Sequence, residues 1–412
     1  MKILNITHLF WPDRGGGASV FSDLCFGLVE RGHEVDVLAG YPYYPEWRNK
    51  SSANLWRIAR ETIQGVRLHR HGFYIPSAPG SLVQRLIYEL SFTLSLLRSI
   101  RRSSKSDLTI VYCPLMGSLL FAVLRKWLLN ERLWLNVQDI PADAAAASGI
   151  SRSKGFNKMA EAVQRFLFRT PDVVSTISPV MNQRVDEIVG HPGRSTYFPN
   201  WLNRSMEEAI ERLAEPRSST RTEVPVILYA GNVGKKQGLL NYCQRLAATN
   251  LKFEFRIFGA GGESDALLSW VKNSGDQRFS MAGFLPEADF VRELYRADYF
   301  VITETADVGA SFIPSKMIPC IATGTPILAV CEANGPLGQE VLAHGLGVVL
   351  DWNGATNLQP FLTDALLNSE TYKGMVSACL IRSQVYRRSA ALDLVEAEVA
   401  RCETDAASMS AI

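Results

Sequence analysis

The sequence predicts two doubly wound α/β domains, Rossmann-like in pattern, with their carboxyl edges facing a central cleft. Three observations lead there. The chain has 412 residues, enough for two domains of ordinary size. Short β-like runs alternate with longer helix-like segments throughout, and parallel strands need such crossovers. The alternation pauses once, across residues 203–223, in a charged stretch that ends Pro216-Arg217-Ser218-Ser219-Thr220-Arg221-Thr222, and then begins again.

In chain order, Ile3–Thr7 reads as a buried first strand, followed by Gly15-Gly16-Gly17 and a helical pattern from Ala18 to Arg31. Val35–Ala39, Val66–Arg70, Leu108–Cys113, Leu133–Val137 and Asp172–Ile177 read as the remaining strands of the first domain, with a long helix from about Leu82 to Arg102. The second series comprises Val226–Ala230, Phe253–Phe258, Phe279–Ala282, Tyr299–Thr303, Ile327–Val330 and Gly347–Leu350, and Tyr386–Ala400 reads as an amphipathic helix. The boundaries expected are 1–205 for the first domain, 206–224 for a linker, 225–385 for the second domain and 386–412 for a final helix and a frayed tail.

Composition narrows the class. Hydrophobic residues make up 47% and charged residues 20%, the balance of a folded globular chain rather than a disordered one. A net charge of +2 gives no general attraction to nucleic acid. The seven cysteines are scattered without a CxxC pair, which suggests reduced thiols and a cytoplasmic setting. The opening Met1-Lys2-Ile3-Leu4-Asn5-Ile6 is too short an apolar run for a signal peptide, and no apolar run approaches the roughly 20 residues of a membrane span.

Doubly wound sheets bind ligands outside the carboxyl ends of their strands, and the informative motifs stand there. Phe10-Trp11-Pro12-Asp13-Arg14-Gly15-Gly16-Gly17-Ala18 links the first strand to a helix. Glycines let backbone N–H groups approach an anion, and the helix start adds a favourable dipole. It is neither GxGxxG nor a P-loop, and a turn needing glycine for geometry alone is the competing reading. Tyr229-Ala230-Gly231-Asn232-Val233-Gly234-Lys235-Lys236-Gln237-Gly238-Leu239 opens the second domain. Its strand–glycine–lysine–helix order fits a diphosphate site in which Lys236 supplies charge.

Gly259 and Gly261 follow the next strand and Gly283-Phe284 the one after, turns that let a flat base lie against backbone. In Phe312-Ile313-Pro314-Ser315-Lys316-Met317, Ser315 and Lys316 fit a second phosphate contact and equally a capping serine with an exposed lysine. Asp139, in Gln138-Asp139-Ile140-Pro141, ends a strand where it would orient a sugar or acceptor hydroxyl, or cap the next helix. His8 closes the first strand and would face the cleft or serve structure alone.

Together these motifs resemble glycosyltransferase family 4, in the bacterial branch that builds capsule, O-antigen and exopolysaccharide units (the colanic-acid and fucosamine transferase type). The resemblance rests on Phe10-Trp11-Pro12 with its glycines, Tyr43-Tyr44-Pro45, Glu89-Leu90-Ser91-Phe92, Gln138-Asp139-Ile140-Pro141, Pro199-Asn200-Trp201, Gly231–Gly238 and Pro314-Ser315-Lys316, in that order. It implies a GT-B fold whose last helix crosses back to the first domain. It implies retaining transfer of a hexosyl or N-acetylhexosaminyl group from a nucleotide sugar, UDP rather than GDP, with no cofactor and no essential metal. By the same resemblance the donor meets Gly231, Asn232, Gly234, Lys236, Gly259, Gly261, Phe284, Ser315 and Lys316, with Gly16 and Gly17 opposite. The acceptor, a polyprenyl-linked saccharide, meets His8, Gly15 and Asp139, and Asp139 and Lys236 carry catalysis. The chain departs from the wider family at Asn232, where arginine is usual, at Gln138, where histidine is, and at Ser311 and Pro319, where paired glutamates are. Glu340 is then the candidate for the donor ribose.

Within 82–105, Val83, Leu86, Ile87, Leu90, Leu94 and Leu97 form one stripe, and Arg85, Arg98, Arg101, Arg102 and Lys105 add positive charge. Periodicity alone favours a helix packed on the sheet. The resemblance favours peripheral contact with the inner face of the cytoplasmic membrane. Two rival functions share the architecture: a nucleotide-sugar epimerase, which needs no acceptor, and a nucleotide-binding protein without turnover.

Overall fold

The computed structural model describes residues 1–13, 17–51, 54–78, 81–100, 104–141, 154–214, 224–305, 313–363 and 367–410. The chain divides into two compact units, Met1–Asn200 with Arg388–Ile412, and Trp201–Arg387.

The first unit is built on β1 (Lys2–Ile6), β2 (Glu34–Gly40), β3 (Ile58–Ile63), β4 (Val66–His71), β5 (Leu108–Cys113), β6 (Arg132–Val137), β7 (Val173–Thr176) and β8 (Ser195–Tyr197). They pair in the order β3-β4-β2-β1-β5-β6-β7-β8, all parallel except β3, which runs antiparallel to β4. Helices α1 (Ala18–Glu30), α2 (Leu82–Leu97), α3 (Met116–Leu129), α4 (Lys154–Arg169) and α5 (Pro179–Val189) are the crossovers. Strands β1, β5 and β6 are buried on both faces, which is why they read as continuous apolar runs. Each fully buried leucine or phenylalanine there contributes roughly 1.5–3 kcal/mol. Two strands escape the sequence pattern. β3 is an edge strand with Arg60, Glu61 and Thr62 exposed, and β8 is only three residues long.

The second unit carries β9 (Val226–Asn232), β10 (Glu254–Ala260), β11 (Phe279–Ala282), β12 (Tyr299–Thr303), β13 (Ile327–Val330) and β14 (Gly347–Leu350), in the order β11-β10-β9-β12-β13-β14. Its helices are α6 (Arg204–Arg212), α7 (Leu239–Ala247), α8 (Ser264–Ser274), α9 (Glu287–Arg296), α10 (Met317–Ala322), α11 (Pro336–His344) and α12 (Glu370–Ser383). In each sheet the order reverses at one strand: β1 between β2 and β5, and β9 between β10 and β12. Those reversals are where doubly wound sheets open a crevice for a ligand.

The expected linker is corrected by α6. Residues 204–212 are helical, begun by Asn203, whose side chain accepts the Met206 N–H at 2.9 Å. Ala209 and Ile210 are buried, and the Ile210 carbonyl accepts the Tyr295 hydroxyl of α9 at 3.3 Å. The charges that made this stretch read as a linker lie on the outer face of a helix belonging to the second unit. Residues 215–223, the rest of the linker, lie outside the described residues.

The last helix, α13 (Arg388–Ser410), belongs to the first unit and lies on α1. Arg388 reaches Asp23 at 3.0 Å and Glu30 at 2.9 Å, Arg31 reaches Asp393 at 2.7 Å, and His33 reaches Glu396 at 2.8 Å. Gly27 makes room for it, since a Cβ there would stand 2.7 Å from Leu392. All seven cysteines are buried.

Candidate active site

In the second unit the glycines of β9 and β10 pair in register, Gly231 against Gly259. Both have positive φ, 141° and 152°. A Cβ on Gly259 would stand 1.9 Å from the Gly231 carbonyl oxygen, and one on Gly261 2.3 Å from that of Val233. No side chain fits at either position, so the backbones close directly on one another. The Val233 N–H donates to Ala260 at 3.0 Å and the Glu263 N–H to Val233 at 3.0 Å, which fixes where the loop leaves the sheet.

Beyond them Gly234 starts a single 3₁₀ turn, Lys235–Gln237, and Gly238, at φ 56°, starts α7. The Gln237 side-chain oxygen accepts both the Gly234 N–H and the Asn232 amide at 3.2 Å. The Thr305 N–H donates to the Lys236 carbonyl at 3.0 Å, tying the turn to the end of β12. The Lys235 and Lys236 side chains are exposed. A rigid glycine turn leading into a helix, with lysines at its tip, is suited to an anion.

Lys316 joins this loop from the turn before α10. Its ammonium lies 4.3 Å from the centre of the Tyr229 ring, and its stem runs past Gly231, 3.5 Å from where a Cβ would be. Burial lowers its pKa to about 8, against the opposing pull of Glu304. Glu304, just past β12, is pushed up to about 7 by burial, with Lys316 opposing. Ser315 is exposed, and α10 begins without a side-chain cap. The capping-serine alternative is therefore not realised. Phe284 is 69% exposed, a free ring beside the end of β11.

Glu340 is a correction. It is 5% exposed and accepts the Arg382 guanidinium at 2.6 Å and the Tyr386 hydroxyl at 2.7 Å. It faces inward on α11 and braces α12, so the structure does not bring it to the loop. Pro319 is buried in α10, and Ser311 lies outside the described residues.

In the first unit, Arg14, Gly15 and Gly16 lie outside the described residues. Gly17 starts α1 at φ 90°, with the Phe21 ring 2.7 Å from where a Cβ would be. Asp13 is buried and accepts the N–H groups of Tyr43 at 2.9 Å and Tyr44 at 3.0 Å, which joins the first loop to the Tyr43-Tyr44-Pro45 loop. The Tyr43 hydroxyl meets that of Tyr88 at 2.6 Å, and the His8 ring stands edge-on to Tyr88 at 6.1 Å. Burial pushes His8 down to about 4, so it is neutral at pH 7.

Asp139 is half-buried just beyond β6, and its carboxylate accepts the Ile140 N–H at 2.9 Å. Gln138 is held from both sides, donating to Asn136 at 2.5 Å and accepting the Asn200 amide at 3.0 Å. Glu89, on α2 beside the start of α3, is pushed up to about 7 by burial, with the Gly117 and Met116 N–H groups and Arg85 opposing. The Cys113 thiol at the end of β5 is pushed up by burial and then by Asp139 and Glu89, so both carboxyls stand near it. His8 and Asp139 thus stand just past the carboxyl ends of β1 and β6, and Glu89 stands on α2 beside the start of α3.

Glu89 and Glu304 are the two candidates that the sequence reading passed over. Glu304 carried a usable signal, a lone charge just past the carboxyl end of a strand, the same one that singled out Asp139. Among the described residues no group of three or more His, Cys, Asp or Glu side chains is placed to hold a metal ion.

Two Rossmann-like units, the second with a glycine turn at its reversal of strand order, make up the GT-B fold, and the comparisons with known proteins indicate a glycosyltransferase. Comparison with known proteins finds similarity to glycosyltransferases, one of them from surface-polysaccharide biosynthesis. Residues 15–201 match the family described as glycosyl transferase 4-like domain. A curated relative from Escherichia coli K12, the putative colanic acid biosynthesis glycosyl transferase WcaI, is 28% identical over 352 residues, which are 82% of this chain and 85% of the relative. Among solved structures, sucrose-phosphate synthase from Thermosynechococcus elongatus has a TM-score of 0.70 at 15% identity, covering 98% of this chain and 100% of that one. The Anabaena protein HepE in complex with UDP and glucose has a TM-score of 0.64 at 13% identity, covering 97% and 100%. At those identities the likeness is one of fold.

Proposed function

We propose that this glycosyltransferase moves a hexosyl or N-acetylhexosaminyl group from a UDP-sugar, with retention, to a lipid-linked saccharide in surface-polysaccharide assembly. The observation that carries the reading is the closed glycine turn of β9 and β10, with Lys236 at its tip and Lys316 behind it. The donor's diphosphate rests on the Gly231–Gly238 turn and the start of α7, with Ser315 at its edge and Phe284 available to stack on the base. As the glycosidic bond breaks, charge grows on the departing diphosphate, and fixed N–H groups and lysines stabilise it without a metal or cofactor. The acceptor hydroxyl attacks from the face the diphosphate leaves, oriented by Asp139 with neutral His8 nearby, and no enzyme-bound intermediate forms. HepE supports UDP, since its solved complexes hold UDP and UDP-glucose, and the colanic-acid relative supports the pathway class.

We also place the protein on the inner face of the cytoplasmic membrane. Val83, Leu86, Ile87, Leu90 and Leu94, expected to pack on the sheet by periodicity alone, are exposed along α2. Leu120, Trp127 and Leu128 on α3 and Met159, Val163 and Phe166 on α4 are exposed as well. Trp127 and Phe166 stand 6.1 Å apart, so the second and third of these helices present neighbouring apolar groups. Among the described residues no helix is long and apolar enough to cross a membrane. An exposed apolar face, with Arg98 and Lys105 following it in the chain, suits an anionic lipid surface.

A calorimetric titration with UDP and with GDP, repeated on Lys236→Ala, tests the donor half. Tighter binding of UDP, weakened by the substitution, is expected. Absence of binding by either nucleotide, or transfer at the wild-type rate by Lys236→Ala, overturns the assignment.

A further inference from the structure

We propose that Lys316 is the preset cation of the diphosphate site and that Glu304, fixed just past the end of β12, is a positioning residue that acts on it through its charge. This rests on the donor-loop reading above and adds a division of labour within that loop.

The geometry separates the lysines. Lys235 and Lys236 are exposed at the tip of the turn and must give up side-chain freedom to bind. Lys316 is already lodged, its stem past Gly231 and its ammonium on the Tyr229 ring. The stem packs beside Gly231, whose positive φ of 141° is what calls for glycine there. Asn232, the next residue, carries no charge, and its amide is spent on Gln237. Lys316 makes no ion pair with a carboxylate among the described residues. A half-buried ammonium beside a turn suited to an anion is placed to meet a phosphate.

Glu304 is placed to serve it from a distance. Its own backbone is fixed on both sides: its N–H donates to Val330 at 2.9 Å, and its carbonyl accepts the Trp352 indole N–H at 2.7 Å. The next residue, Thr305, holds the Lys236 carbonyl, so one strand end governs both lysines. Glu304 and Lys316 feel each other's charge without closing into an ion pair, which leaves the ammonium open to phosphate. The other groups around them are Tyr229 beneath, Cys320 one turn along, Cys331 and Glu332 at the end of β13, and Lys235 and Lys236 on the turn. Burial pushes the Cys331 thiol up to about 12 and the Tyr229 hydroxyl above its usual range, so neither titrates between pH 6.5 and 9.

The sign follows. Lys316 loses its proton as pH rises through about 8, and affinity for a diphosphate falls with it. Removing the Glu304 charge removes a term that favours the ammonium, so the fall moves to lower pH. The test is titration of the whole chain with UDP and with uridine at pH 6.5, 7.5, 8.5 and 9, for wild type, Lys316→Met, Lys316→Arg and Glu304→Gln. Expected are a loss of about tenfold in UDP affinity for Lys316→Met, the scale of one charge-assisted hydrogen bond, and retention of affinity at pH 9 by Lys316→Arg. Glu304→Gln shifts the fall by about one pH unit downward, and uridine binding is unchanged throughout. The proposal is overturned if Lys316→Met binds UDP within twofold of wild type, or if Glu304→Gln leaves the pH profile where it was. Failure of the wild type to bind UDP at any of these pH values, together with no binding of GDP in the titration described above, removes the donor-loop reading itself, and this proposal with it.

Discussion

Helices α2 and α9 each cover a sheet, and they meet water in opposite ways. On α9, Val291 and Leu294 are buried, while Glu287, Arg292 and Arg296 face out, and Arg292 pairs with Asp289 at 2.5 Å and Arg296 with Glu293 at 3.2 Å. On α2, Tyr88, Phe92 and Leu96 are buried, and the outer face carries five large aliphatic residues. A helix apolar all round belongs in a core or against another apolar phase. Unlike α9, α2 exposes more apolar surface than covering a sheet requires, and that excess is what the proposed membrane contact rests on.

The comparison can be broken most directly by stability. Leu294→Ala on α9 empties a closed core and is expected to cost about 2–5 kcal/mol. Leu90→Ala on α2 is expected to stay within about 0.5 kcal/mol of wild type. Chemical denaturation of both variants checks this, and similar losses would show that the outer face of α2 is packed after all. Next comes partitioning: Leu86→Asp with Leu90→Asp should lower binding to anionic liposomes by about tenfold or more. Equal binding of the wild type to anionic and neutral liposomes would remove the membrane reading.

The smallest expected effect is electrostatic and belongs to the inner side of α2. Glu89 has a folded pKa of about 7 against a usual 4.5, so the folded chain holds an extra proton between those values. Stability from this group is therefore lost as pH rises from 4.5 to 7. Glu89→Gln should raise the melting temperature at pH 8 and leave it unchanged at pH 4. A shift of equal size at both values would mean a packing effect instead.

Much of this was legible in the residues, for identifiable reasons. Strands buried on both faces, such as Leu108–Cys113 and Tyr299–Thr303, are dominated by apolar residues and carry no charge to hide them. The glycines at 231, 259 and 261 announced themselves because no other residue fits where two backbones close. What stayed hidden depended on partners distant in sequence. Nothing local shows that Glu340 turns toward Arg382 and Tyr386, 42 and 46 residues on. The direction of the α2 stripe was equally hidden, because its period is the same whether the stripe faces a sheet or a bilayer. Glu89 acquires its perturbed environment only when α2 meets the start of α3.

The return of α13 to α1 has a consequence for how the protein is made. A ribosome delivers Ala18–Glu30 early and Arg388–Ser410 last, with the whole second unit between them. Until then Asp23 and Glu30 lack the Arg388 that joins them, and the groove beside Gly27 stands empty of Leu392. The first half to be synthesised is thus the last to be finished, and a chain halted anywhere before residue 388 would leave that half with an open seam.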